Sequence, residues 1–355
     1  MTKRSTAFLL PGQGAQYARM GIDLYEREPE FAAVVEEFLT LMGEEGDRVR
    51  ADWFSDTPAM PLDDGRRAQP LLFAIDYALG TVLQSRGIVP DALVGHSVGE
   101  LAAAALAGVF DLPSAARIML ARSRALEGAP AGGLLAVAGV PREVEGRIPE
   151  ELARLGVTVG AVNAPRQTVL AGPEEALLAT EQALRIAGMV ARRVRALDPF
   201  HSPVLASAAA ELERAVAAEP LNPPRIPIWS GRTGRQVSAQ DAVHPGFWAR
   251  QMAEPVLFWP ALSGLLEQGP YLLIETGPGR ALSTPARRHP AVRSGETRLV
   301  CLLPSEGGDS RRSWREALEQ LEEERMAASP HPVNRTRAVP RRTTTTRSTI
   351  RRRRR

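Results

Sequence analysis

The sequence predicts an α/β protein with a small α+β subdomain inserted in it, and three observations carry that prediction. Short apolar runs of strand character alternate with amphipathic helical stretches. One of those runs leads through a glycine-flanked serine into an alanine-rich helix. The texture changes to short strands around helices between about residues 133 and 196, and then reverts.

In chain order, "STAFLL" at residues 5–10 reads as a buried strand, and "PGQGAQ" at 11–16 as a glycine-rich turn. A helix follows, with apolar positions from Met20 to Leu41, and "QPLLFAIDYALGTVLQSRG" is a second one ending at Gly87. "DALVGHSVGELAAAALAGVF" reads as strand, sharp turn, helix. "GGLLAVAGV", "VTVGAVNAPRQTVLAG" and "VARRVRAL" supply the short strands of the insert, around helices at 141–155 and 174–188. "RIPIWS" and "YLLIETGPG" return to the first pattern as further strands, and no internal repeat is present. The resulting division is a core of residues 1–130 and 197–325, a small subdomain of 131–196, and a tail of 326–355.

Composition narrows the function classes. The 355 residues are 44% hydrophobic, enough to bury a full core. A single cysteine, Cys301, excludes an internal disulfide framework and a cysteine-rich zinc site, and fits a reducing cytoplasm. The apolar run "AFLL" near the start is cut at once by Pro11 and Gly12, too short for a signal segment, and no stretch approaches a membrane span. The net charge of +3 conceals an asymmetry: residues 326–355 hold ten arginines and no acid, while the other 325 residues carry 34 basic against 41 acidic groups. Such a tail predicts disorder, a solvated segment able to meet acidic partners through charge alone.

The glycines of Gly95-His96-Ser97-Val98-Gly99 permit the strained turn that lifts a serine above a sheet edge, and the Val98 N–H would open a helix where amide dipoles favour a developing oxyanion. The alternative is a small residue in a tight turn. A nucleophilic serine needs a base, and the chain offers His96, His201, His244, His289 and His331. His331 lies in the tail, and the side chain of His96 should point away from that of its neighbour Ser97. His289 sits among charges, and His244 precedes a proline. His201, just before an amphipathic helix, remains as candidate base, with a capping or packed histidine as its alternative. "PGQGAQ" lacks the G-K-[ST] ending and the full G-x-G-x-x-G, which argues against nucleotide binding.

"PGQGAQ", "GHSVGE", "ARSRALEGAP", "FHSP" and "ETGPG" occur together in this order. With them the chain resembles the acyl-CoA:acyl-carrier-protein transacylases, the malonyl transferases of fatty-acid synthesis and the acyltransferases of polyketide synthases, over residues 6–325. The resemblance implies an α/β-hydrolase-like large subdomain with a parallel sheet and nucleophile elbow, and a ferredoxin-like small one. It implies that Ser97 is the nucleophile and His201 its base. Gln13 and Val98 would supply backbone N–H groups to the oxyanion hole, Arg122 would hold the free carboxylate of a malonyl-type substrate, and Gln251 would accept a hydrogen bond from the histidine. Without the resemblance Arg124 is as good a candidate as Arg122, and Asp198 is a tempting third member of a triad, although Asp before Pro commonly starts a turn. Glu100, one turn into the helix, reads as a carboxylate favouring its N-terminal dipole, and "ETGPG" is given no chemistry.

The implied reaction is ping-pong transfer of an acyl group from CoA, through an acyl-serine, to the phosphopantetheine thiol of an acyl carrier protein. Malonyl-CoA is the expected substrate, because Phe200 before the base and Val98 after the nucleophile resemble the malonyl-selective set. The "DPFH" reading, with Asp198 and Pro199, departs from the usual pattern and leaves a larger dicarboxylic acyl group open. No bound cofactor or metal, no membrane and no nucleic acid is expected, and the chain is expected to act as a discrete cytoplasmic monomer. The alternative is an editing thioester hydrolase on the same scaffold, against which a carboxylate-clamping Arg122 argues.

Overall fold

The computed structural model describes residues 4–328. Its larger sheet is built from β1 (Ser5–Leu10), β2 (Ala92–Gly95), β7 (Ile228–Trp229), β8 (Tyr271–Glu275) and β9 (Arg298–Cys301). These five strands run parallel in the order β7-β2-β1-β8-β9. Ala7, Phe8, Leu9, Leu10, Leu93 and Val94 are fully buried, as continuous apolar runs must be in a parallel sheet covered on both faces. Each such large side chain contributes roughly 1.5–3 kcal/mol relative to exposure.

The smaller sheet is built from β3 (Gly132–Val137), β4 (Thr158–Ala164), β5 (Gln167–Pro173) and β6 (Ala191–Arg193). It is antiparallel, in the order β4-β5-β3-β6. Helices fall between β3 and β4 and between β5 and β6, the last being Glu174–Ile186. This β-α-β-β-α-β order with its first strand inside the sheet is the ferredoxin-like arrangement. The expected α/β-hydrolase-like sheet and ferredoxin-like insert are therefore both present. Val256 ties them together: its N–H donates to Gly160 O and its carbonyl accepts from Val162 N–H, both at 2.8 Å.

Several elements differ from the sequence reading. The helix expected from Met20 to Leu41 is two, Ile22–Tyr25 and Pro29–Leu41, because Pro29 cannot continue a helix but can begin one. The helix expected over 141–155 is likewise two short ones, Pro141–Glu145 and Glu150–Arg154. The helix expected to begin near Gln69 starts at Gly65, capped by Asp64. It passes through Pro70, and Arg67 Nη1 donates to the Arg66 carbonyl that Pro70 leaves free. Strand β9 carried no signal. The last helix, Ser310–Ala328, takes in the first three residues assigned to the tail, because a buried stripe of Trp314, Ala317 and Leu321 holds it down. The arginine-rich stretch and His331, like the tail's expected disorder, lie outside the described residues. No described helix is long and apolar enough to cross a membrane.

Candidate active site

The site forms where β1 and β2 end. Their register pairs Leu10 with Gly95, so Pro11–Gln13 and His96–Val98 leave the same sheet edge side by side. The two turns touch: a Cβ at Gly12 would lie 2.3 Å from His96 O and 3.1 Å from the Ser97 Cβ, and one at Gly99 would lie 2.1 Å from Leu10 O. Only glycine permits that approach. Ser97, at φ 56°, ψ −120°, caps the helix Val98–Leu106. The first N–H groups of a helix have no partner within it, so the Val98 N–H is available at the turn. The Gln13 side chain is fixed from both sides, donating to Asp63 O at 2.9 Å and accepting from Gln69 Nε2 at 3.1 Å.

His201 reaches the serine from the chain's return to the large subdomain. Its Nε2 lies 2.9 Å from Ser97 Oγ. Its backbone is also left-handed, at φ 65°, and its N–H donates to Met252 O at 2.7 Å. On the far side of the ring, Nδ1 lies 2.8 Å from Gln251 O and 3.0 Å from Glu254 O. Two carbonyl acceptors there fix Nδ1 as the protonated nitrogen and leave Nε2 free to accept. Gln251 thus meets the histidine through its main chain, and its own amide is buried without a partner among the described residues. The imidazole pKa is pushed down to about 3, chiefly by burial and in smaller part by the neighbouring His96 and Arg122, against the opposing hydrogen bonds to the two carbonyls. Asp198 is no triad acid: its Oδ2 accepts the Gly65 N–H at 2.9 Å.

Arg122 is 1% exposed, whereas Arg124 is exposed. Its Nε donates to Gln69 Oε1, and both Nη groups are buried without a partner among the described residues. The guanidinium carbon sits 5.3 Å from the Phe200 ring centre. Burial lowers its pKa to about 9, still above neutrality, so the group remains a cation. A buried cation with two unused N–H edges is costly unless an anion comes to it, and the fork matches a carboxylate. A small cavity of about 60 Å³ is lined by Gln13, His96, Ser97, Phe200 and His201, with Leu134, Val169 and Val194 of the insert among its walls.

His96 lines the same cavity as Ser97, and its ring turns to the insert, with Nε2 2.9 Å from Asn163 Oδ1 of β4. The other two described histidines stay apart: His244 is exposed, and His289 caps a short helix by accepting from Ala291 N–H. Sequence reasoning missed Gln69 and Asn163. A glutamine at the head of an apolar helix and an asparagine inside a strand were the only signals.

A serine hydroxyl paired with an oriented neutral imidazole, at the C-terminal edge of a parallel sheet, defines an α/β enzyme of the serine acyl-transfer class. Comparison with known proteins makes the class specific: the chain belongs to the acyl transferase domain family, whose profile matches residues 7–303. A phenolphthiocerol/phthiocerol polyketide synthase of Mycobacterium tuberculosis is 36% identical over 323 residues, covering 90% of this chain and 21% of that protein. The chain therefore spans about a fifth of that relative's length. Among solved structures, the acyltransferase domain from the second module of the salinomycin polyketide synthase is 34% identical, with a TM-score of 0.81 over 90% of this chain and 74% of that one. A malonyl CoA-acyl carrier protein transacylase from Clostridium perfringens is 25% identical, with a TM-score of 0.78 over 91% and 99%.

Proposed function

We propose that this acyltransferase moves a malonyl group from CoA to the phosphopantetheine thiol of an acyl carrier protein, in polyketide or fatty-acid biosynthesis. The observation that carries this reading is the buried Arg122 fork, with both Nη groups unpartnered among the described residues, stacked on Phe200, which itself lines the cavity of the Ser97–His201 pair.

The chemistry follows from these atoms. His201 Nε2 takes the Ser97 proton as Oγ bonds to the thioester carbonyl carbon, and the carbonyl π electrons move onto oxygen. The N–H groups of Gln13 and Val98 receive that oxyanion, and collapse breaks the C–S bond, with the CoA sulfur taking the proton from His201. In the second half the carrier thiol gives its proton to His201, sulfur attacks the ester, and Oγ departs and recovers the proton. A base held near pKa 3 by burial is weak, but the substrate carboxylate and the developing oxyanion favour its protonated form. Arg122 holds the carboxylate by two parallel N–H bonds, orienting the acyl group for attack. Phe200 beneath the guanidinium supports malonyl over a branched group by about 1–3 kcal/mol. No metal or bound cofactor enters these steps.

The test is incubation of the purified chain with a panel of acyl-CoAs, without carrier, read by intact mass. The expected result is a stable adduct of malonyl size that Ser97→Ala does not form. Release of free CoA with no adduct would replace this reading with a hydrolase.

A further inference from the structure

Among the described residues no carboxylate stands behind His201, so its orientation depends on where two main-chain carbonyls stand. One of them, Glu254 O, belongs to a non-helical stretch between the turn at Arg250–Met252 and the Val256 bridge to β4. The Glu254 side chain is 41% exposed and would otherwise reach for solvent. It is instead gripped by both oxygens: Arg232 Nε lies 2.5 Å from Oε2, and Nη2 lies 3.2 Å from Oε1. The guanidinium is itself placed, with its carbon 5.1 Å from the Phe247 ring centre.

The other end of the clamp reaches the nucleophile's helix. The Arg232 main-chain N–H lies 3.3 Å from Glu100 Oε2 and 3.1 Å from Ser230 Oγ. Glu100, expected to serve only the helix dipole, is buried three residues after Ser97 and holds this turn. A partly exposed ion pair contributes little to stability. A bidentate Arg–carboxylate fork, however, fixes distance and angle in a way a lysine cannot.

We infer that Arg232 is a positioning residue for His201, acting through Glu254 to hold the carbonyl that orients the imidazole toward Ser97. The inference rests on Ser97 and His201 being the reacting pair. In single-turnover acylation by malonyl-CoA, Arg232→Gln slows acyl-serine formation by roughly three- to thirty-fold, the order expected when a reacting group is displaced by a fraction of an ångström. The half-saturating malonyl-CoA concentration stays within about twofold, because nothing that holds the substrate has moved. Arg232→Lys falls between wild type and Arg232→Gln, and Arg232→Gln with Glu254→Gln is no slower than Arg232→Gln alone. A wild-type rate in Arg232→Gln, multiplicative losses in the double variant, or a loss confined to half-saturation would overturn the positioning role. Absence of any acyl-serine in the wild-type chain would overturn the parent reading and this one with it. A normal wild-type adduct with an indifferent Arg232→Gln would overturn this one alone.

Discussion

Ser97 Oγ and His201 Nε2 meet at 2.9 Å, and each residue does so from positive φ, 56° for the serine and 65° for the histidine. Both halves of the reacting pair sit in backbone that non-glycine residues rarely adopt, at a cost of order 1–3 kcal/mol each. The surrounding turns hold them there because the side chains must converge.

That strain gives a stability prediction. Ser97→Ala and Ser97→Gly both remove the nucleophile, and neither forms an acyl-serine. The glycine variant also relieves the backbone, so it is more stable than the alanine variant by about 1 kcal/mol. Urea denaturation of the two variants checks this. An alanine variant as stable as the glycine one would mean that the elbow carries no strain.

The pH profile tests the state of His201. A pKa pushed down by burial leaves the imidazole neutral, and so able to accept a proton, at every pH above the lowered value of about 3. The rate of acyl-serine formation at malonyl-CoA well below half-saturation, which reports the free protein, should therefore show no histidine-like limb near 6.5 and stay level between about pH 5 and 8. An apparent pKa near 6.5 under those conditions would indicate that solvent reaches the imidazole.

How far the site could be read from the chain depends on the kind of contact involved. Ser97 was legible because strand, turn and helix are local, and His201 because only five histidines compete. Gln69 and Arg122 meet across 53 positions, and His96 and Asn163 across 67, by tertiary approach that no periodicity encodes. Gln251 shows a different limit. Its contribution is a carbonyl, which every residue carries, so its side-chain type says nothing about the hydrogen bond it accepts. Strand β9 was missed because four residues beginning with an arginine resemble a loop until β8 lies beside them.

Arg122 gives the specificity prediction. Arg122→Met keeps the stem's volume against Phe200 but removes the fork, and should lower the acylation efficiency for malonyl-CoA by about 100-fold while changing that for acetyl-CoA by less than about threefold. Arg122→Lys should recover little, since one ammonium cannot make two parallel bonds. The measurement is kcat/KM for the two acyl-CoAs in each variant. Equal losses on both would show that Arg122 acts on the fold rather than on the carboxylate.

The oxyanion loop gives the last prediction, through the contact between its glycine and the elbow. An alanine at position 12 would place its Cβ 2.3 Å from the His96 carbonyl oxygen. That oxygen cannot retreat freely, because it accepts the Gly99 N–H at 3.0 Å, and the His96 N–H is itself bonded to Leu10 O at 2.9 Å. The loop carrying Gln13 must give way instead. Gly12→Ala should cost about 1–3 kcal/mol of stability from the overpacked contact. Once folded, it should acylate at least about tenfold more slowly, because the Gln13 N–H leaves its place. Gly146→Ala, in αR backbone at φ −67° where the nearest neighbour of a new Cβ is a carbonyl 3.3 Å away, is the matched control and should change neither quantity appreciably. Thermal denaturation and single-turnover acylation of both variants decide it. A Gly12→Ala protein with wild-type stability and rate would show that the two turns do not press on each other in solution as they do in this structure.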